Sequence, residues 1–132
     1  QNVGTFNNQG IEFSARFNVD KNIMLNANYS YLDLSTAVLA APRQQLNLGI
    51  HLTHQIWNVS MNAQYIERLY TSVVPQIVQG DYLLLNARIS CTPIKNLQLF
   101  IVENNILNQT YQINYGYPMP GFNFHGGINY NF

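Results

Sequence analysis

The sequence predicts an all-β fold, namely a segment of an antiparallel transmembrane β-barrel with about seven meander strands. Three observations support this prediction. Apolar and polar residues alternate along seven separate stretches of the chain. The connections between these stretches are short and long in turn. Only 9% of the residues are charged although 47% are hydrophobic, which suits a sheet with one face in lipid and the other in water.

The clearest alternation lies at the end of the chain, over residues 122–132. Every second side chain of a strand points to the same face, so this stretch has one apolar and one polar face. About ten such residues are enough to cross a bilayer as a tilted strand. The apolar set is Phe122, Phe124, Gly126, Ile128, Tyr130 and Phe132; the other set is Asn123, His125, Gly127, Asn129 and Asn131.

The same pattern predicts six earlier strands, over residues 11–19, 23–31, 45–53, 57–65, 83–90 and 96–103. The last of these is irregular because Phe100 and Val102 fall on the nominally polar face. Residues 1–9 are predicted to be a loop. Tight turns are expected at 20–22, 54–56 and 92–95, and longer connections at 34–43, 68–80 and 104–120. Outer-membrane barrels have this asymmetry, and the five prolines all fall in the predicted connections.

Composition excludes several classes of function. The net charge of zero gives no electrostatic reason to expect a nucleic-acid partner. The single cysteine, Cys91, excludes an intrachain disulfide. The sequence contains no nucleophile elbow, zinc-protease motif or P-loop, so no enzymatic activity and no cofactor are expected.

Several motifs resemble one family, the TonB-dependent outer-membrane receptors. The family's carboxyl-terminal end resembles residues 102–111 (VENNILNQTY), residues 114–121 (NYGYPMPG) and the final alternating strand that ends at Phe132. Asn105 is a mild departure, because an apolar residue is usual there. Residues 8–12 (NQGIE) and 28–33 (NYSYLD) are similar to the beginning and the end of two other strands of the family. The resemblance therefore spans nearly the whole chain.

The resemblance implies a 22-stranded barrel that encloses an amino-terminal plug, of which residues 1–132 would be the last third, without the plug. Such receptors lie in the outer membrane of Gram-negative bacteria and import iron-siderophores, cobalamin, or in some branches sugars or peptides. The implied partners are outer-membrane lipid, the remaining barrel and plug, and an inner-membrane energising complex that engages the missing amino-terminal part. The barrel-assembly machinery would recognise Ile128, Tyr130 and Phe132.

Two sets of side chains are candidates for functional contacts. The first set falls on the polar face, where it is expected to line the lumen and contact the plug or a substrate: Glu12, Arg16, Asn26, Asn28, Asn47, His51, Asn62, Gln64, Asn86, Arg88 and His125. The second set lies toward strand ends, where an aromatic girdle would meet the membrane interface: Tyr29, Tyr31, Trp57, Tyr65 and Tyr82. A structural role for the lumen charges, and generic β-propensity for the aromatic residues, are the simpler alternatives.

The histidines are not expected to form a metal site. His51 and His54 are three residues apart and point to opposite faces of a strand. His51 and His125 share a face but lie on the third and seventh predicted strands, with three strands between them, which is too far for both to bind one ion.

The sequence is also compatible with two other architectures. One is a self-contained outer-membrane barrel of eight strands, closed by a strand from residues 1–9, although these residues lack the alternation. The other is a soluble β-sheet binding module. Neither would require further polypeptide, whereas a receptor segment with two open sheet edges would need the rest of its barrel.

Overall fold

A computed structural model describes residues 7–132, which form ten β-strands. Among these residues, no helix is long and apolar enough to cross a membrane. The strands are β1 (Asn8–Asn18), β2 (Ile23–Leu34), β3 (Pro42–His54), β4 (Trp57–Val73), β5 (Gln76–Gln79), β6 (Tyr82–Ile94), β7 (Leu97–Asn104), β8 (Gln112–Asn114), β9 (Tyr117–Pro118) and β10 (Asn123–Tyr130).

Seven of these strands form one antiparallel meander in the order β1-β2-β3-β4-β6-β7-β10. Strand β5 pairs with the far end of β4, and β8 and β9 form a separate small hairpin. The prediction of about seven antiparallel meander strands is therefore confirmed. Within the described residues β1 and β10 do not pair, so the sheet is open and has two free edges.

The strand register keeps apolar residues opposite apolar residues across the sheet. One row joins Ala15, Ala27, Leu48, Ala63 and Leu85. We call this side the apolar face. The next row, on the opposite side, joins Ser14, Asn28, Asn47, Gln64 and Leu84, and we call that side the polar face. A slip of one residue would exchange the two faces, so this register depends on the alternation along every strand.

The short turns contain local features that stop the strands. The Asp20 carboxylate accepts hydrogen bonds from the backbone N–H groups of Asn22 and Ile23, at 2.6 and 2.9 Å. In the other two turns, Gln55 and Asn96 have positive φ angles of 51° and 70°. The third turn lies later than predicted, because β6 continues to Ile94 and β7 begins at Leu97.

The long connections contain more regular structure than predicted. Strand β4 continues to Val73 and pairs with β5, so most of residues 68–80 form a hairpin. Arg68 has a φ of 51° within β4, and this irregularity interrupts the alternation that identified the rest of the strand. Strand β1 begins at Asn8, within the predicted loop 1–9; residues 1–6 of that loop lie outside the described residues.

Prolines also lie within strands, contrary to prediction. Pro42 is the first residue of β3, Pro93 lies at a register shift near the end of β6, and Pro118 ends β9. Strands tolerate proline at their first residue, at register shifts and on edges, because its missing N–H is not needed by the ladder there.

Candidate functional site

The polar face brings together five of the predicted lumen residues around one depression. Asn26, His51, Asn62, Asn86 and Arg88 line this shallow cavity of about 340 Å³. They come from β2, β3, β4 and β6, which are adjacent in the sheet. The depression opens beside Gly49, where an added Cβ would collide with the side-chain amide of Asn26.

The remaining predicted lumen residues lie around this depression. Asn28, Asn47 and Gln64 form the adjacent row on the same face. Glu12 and Arg16 lie on the edge strand β1, and His125 lies on the other edge strand, β10. The register therefore places all eleven residues on one face but does not gather them into a single site.

The histidines of the polar face do not approach one another. The register leads from His51 through Ser60, Arg88 and Val102 to His125, so three strands separate the two rings. At about 4.8 Å per strand the separation is far beyond chelating distance. His51 Nε2 instead lies 3.3 Å from the Thr53 hydroxyl. Residues 7–132 contain no group of three His, Cys, Asp or Glu side chains that could hold a metal ion.

Arg88 takes part in a stack across the polar face that the alternation did not predict. Its guanidinium carbon lies 4.3 Å from the centroid of the Phe100 ring. The ring in turn covers Gly127, which opposes Phe100 in the register. Phe100 therefore belongs on the polar face because a glycine on β10 leaves room for its ring.

Asn105 anchors the connection between β7 and β10 and is only 4% exposed. Its side-chain oxygen accepts a hydrogen bond from the Gln109 N–H at 2.8 Å. Its side-chain nitrogen donates to the carbonyls of Gln109 and Pro120, at 2.8 and 3.1 Å. Its own N–H donates to the Asn86 side chain at 2.9 Å. The residue that departs from the resembled motif is thus the one whose amide holds this connection in place.

The connection packs on the far end of the polar face and covers the buried core of the described residues. The core consists of Ile66, Leu69, Tyr82 and Leu84, with Tyr111 and Ile113 packed against it. The backbone N–H of Tyr115 donates to the Thr71 carbonyl at 2.8 Å, which ties β8 to β4. The long connection 104–120 is therefore a folded cap over the ends of β4 and β6.

Tyr82 was predicted to belong to the aromatic girdle, and the structure corrects this. It opposes Ile66 on the polar face, is 7% exposed, and stacks on Tyr111 with 4.6 Å between ring centroids. The folded connection covers this end of β6 and buries the ring. The other four predicted girdle residues have the phase of the apolar face.

The four remaining girdle residues lie toward strand ends. The three tyrosines are on the side of the long connections, and the tryptophan is on the side of the short turns. Tyr29 and Tyr65 share one row of the apolar face, and Tyr31 lies one row beyond. Trp57 lies next to the short turn and opposes His54 and Cys91. The Tyr29 hydroxyl donates to Gln44 at 2.8 Å, and the Tyr65 hydroxyl donates to Asp81 at 3.0 Å. Each of these two tyrosines belongs to the apolar face, and its hydroxyl forms a hydrogen bond with a polar side chain.

The end of the chain exposes its apolar set. Ile128 is 69% exposed, and the Tyr130 and Phe132 rings meet edge to face with 5.1 Å between centroids. Strand β10 pairs only with β7 among the described residues, so one of its edges is free.

A meander with one continuous apolar face, one polar face and two free edges has the architecture of a membrane β-barrel wall. The sequence model of a family described as TonB dependent receptor-like, beta-barrel matches residues 1–106. The chain belongs to this family. Membership in a family of transport receptors argues against the soluble binding module considered above.

Solved structures support the same fold. The siderophore receptor PiuA from Acinetobacter baumannii superposes with a TM-score of 0.82 at 18% identity, over 98% of this chain and 22% of that one. P. aeruginosa FpvA bound to heterologous pyoverdines gives 0.80 at 16% identity, over 95% and 19%. BauA, the ferric preacinetobactin receptor from Acinetobacter baumannii, gives 0.71 at 19% identity, over 95% and 22%. The chain thus spans about a fifth of the length of these proteins. A search of curated proteins gives no significant match.

Proposed function

We propose that this chain is the wall segment of an active transport receptor in the outer membrane of a Gram-negative bacterium. The observation that carries the proposal is the family match over residues 1–106, combined with an apolar face that continues across the meander. The transported nutrient is an iron-siderophore, cobalamin or a similar compound. A siderophore is favoured because PiuA is described as a siderophore receptor and BauA as a ferric preacinetobactin receptor.

The open edges of the sheet support the proposal that further polypeptide completes the barrel. An unpaired backbone N–H or C=O group in lipid costs several kcal/mol, so β1 and β10 need pairing partners within a membrane. The remaining strands and a plug would supply them and fill the lumen. The inner-membrane energising complex would engage a part of the receptor outside these 132 residues. The alternative to a completed larger barrel is the self-contained small barrel, which would need no further polypeptide.

The polar face provides a surface for the plug or a substrate. Amide side chains such as Asn26 and Asn62 can both donate and accept hydrogen bonds, which suits contact with irregular plug backbone. Arg88 adds a guanidinium and His51 an imidazole beside them. Because Asn86 already accepts a hydrogen bond from the Asn105 backbone, its role in this set is structural.

Energy-dependent uptake tests the proposal. The intact polypeptide that contains these residues would be produced in a Gram-negative strain lacking its own siderophore receptors, and ⁵⁵Fe uptake measured for a panel of ferric siderophores. We expect uptake of at least one compound, and its loss in an otherwise identical strain without the energising complex. Uptake that continues without that complex would show a passive channel and contradict the proposal.

The mass of the native polypeptide tests the architecture separately. A mass several times 15.1 kDa, measured on protein extracted from outer membranes, is expected for a receptor with a plug. A mass near 15.1 kDa would instead support the self-contained small barrel.

A further inference from the structure

The Arg88 guanidinium is held in place on the polar face. Its central carbon lies 4.3 Å from the centroid of the Phe100 ring, and Arg88 lines the depression of about 340 Å³ described above. The Phe100 ring is itself positioned over Gly127 on the next strand. A guanidinium that stacks on an aromatic ring keeps its N–H donors at its edge, where they can bind another group. Arg88 therefore presents a positioned cation to whatever covers this face.

No carboxylate of the 132 residues is placed to neutralise Arg88. The sequence contains six acidic residues. Glu103 has the phase of the apolar face, and Glu12 lies on β1, four strand steps from β6. Asp20 lies in the turn after β1, where its carboxylate accepts two backbone hydrogen bonds. The other three lie toward the long connections: Asp33, Glu67 and Asp81. Asp81 precedes Arg88 by seven residues, which is about 23 Å of extended strand.

Arg88 lies toward the short turns and away from the folded cap. It opposes Ser60, the fourth residue of β4 after the turn. The cap packs at the opposite end of the sheet, on Tyr82 and Leu84. Long connections are extracellular in outer-membrane barrels, so a compound that enters from outside meets the cap before it reaches Arg88. The depression therefore belongs to the part of the lumen in which the proposed plug would lie.

We propose that the plug places an Asp or Glu carboxylate on the Arg88 guanidinium. A plug packed on this face would remove Arg88 from water, and a buried charge without a partner costs free energy. A carboxylate compensates this cost best, because it accepts two parallel hydrogen bonds from the edge of a guanidinium. The inference rests on the proposed function, since it needs a plug within the lumen. It adds the chemistry of the contact and the residue that makes it.

Carbodiimide cross-linking of the intact receptor in outer membranes tests this pairing. Arg88→Lys keeps the positive charge and supplies an amine. The carbodiimide activates a neighbouring carboxylate, and the amine then forms an amide while the reagent leaves as a urea. Mass spectrometry of the digested protein is expected to show a link from position 88 to an Asp or Glu outside residues 1–132. The unmutated protein is the control, because a guanidinium does not react and no link at position 88 is expected.

A link from position 88 only to Glu12 or Asp20, or no link at that position, would overturn the proposal. Energy-dependent uptake by the unmutated protein together with no link would contradict the pairing and leave the proposed function intact. A native mass near 15.1 kDa would contradict both, because no plug would then exist.

Urea-driven channel opening in planar bilayers gives a second measurement. Arg88→Gln is expected to open about tenfold faster than the unmutated receptor at the same urea concentration, since the plug loses a charged contact. The matched control is Lys95→Gln, which removes one positive charge from the exposed turn between the same two strands, β6 and β7. It is expected to open at the unmutated rate. If Arg88→Gln opens no faster but binds ferric siderophores more weakly, the substrate is the partner of Arg88 and the proposal is wrong.

Discussion

The ring of Phe100 covers Gly127 on the neighbouring strand, so closely that a Cβ at Gly127 would lie 2.7 Å from Phe100 Cζ. Arg88 lies over the same ring from a third strand. The stack joins β6, β7 and β10, the last three strands of the meander. An aromatic ring over a cross-strand glycine helps to hold the register of adjacent strands. This contact stabilises β10, which has no other strand partner among the described residues.

Gly127→Ala is expected to destabilise the protein by about 1–3 kcal/mol, because the added methyl group displaces a ring that Arg88 also holds. The measurement is thermal unfolding of the intact polypeptide in detergent, followed by heat-dependent gel mobility. Gly80→Ala is the matched control, since nothing lies within 4 Å of a Cβ added there. Equal stability of the two variants would show that the ring moves aside at no cost.

Asn105→Gly is expected to cost about 2–3 kcal/mol through the loss of three side-chain hydrogen bonds around a buried amide. Glycine suits the test because Asn105 has a φ of 49°, which glycine adopts without strain. Hydrogen exchange over residues 106–121 is the direct measurement, and faster exchange is expected there. Asn104→Ala, which removes one exposed hydrogen bond to Asn123, is expected to leave that exchange unchanged. Equal exchange in both variants would contradict the anchoring role of Asn105.

Tyr82→Ala is expected to cost about 3 kcal/mol, because it leaves a cavity beneath Tyr111 in the buried core. Limited proteolysis should then cleave the connection over residues 106–121. Tyr65→Ala, at a ring that is 37% exposed, should not produce that cleavage. If the two variants were cleaved alike, Tyr82 would not support the folded cap.

Leu48→Arg tests which face contacts lipid. Leu48 opposes Ala27 and Ala63 near the middle of the apolar face, where an arginine facing lipid costs about 2–4 kcal/mol. Asn47→Arg places the same charge on the polar face and is expected to cost less than about 1 kcal/mol. The measurement is equilibrium unfolding in lipid vesicles. Similar costs for both substitutions would mean that the apolar face does not contact lipid.

Phe132→Ala is expected to slow barrel assembly without lowering the stability of the assembled protein. The Phe132 ring contacts the Tyr130 ring and the side chain is fully exposed, so little packing is lost. Pulse-chase folding in cells measures assembly, and thermal unfolding measures stability. Phe124→Ala is the control, since Phe124 is also exposed and belongs to the same face of β10. A similar delay in both variants would contradict a specific signal at Ile128, Tyr130 and Phe132.

The meander and its two faces can be predicted from the sequence, because a period of two along each strand is a local property. The rows through Ala27 and Asn28 follow directly from that period once adjacent strands pair. The continuation of β4 beyond Arg68 did not follow, because one residue with positive φ shifts the phase of every later side chain.

What lies over the ends of the strands depends on contacts between residues that are distant in sequence. Residues 82–85 (YLLL) are apolar in both phases, so alternation could not show that Tyr82 points away from the girdle. That choice depends on Tyr111 and Ile113, which fold back from a distant connection and bury the ring. The same folding makes Asn105 an anchor, since the folded connection brings the carbonyls of Gln109 and Pro120 within hydrogen-bonding distance of its side chain. A local pattern determines which face a strand presents, whereas burial of a particular side chain depends on residues that are remote in sequence.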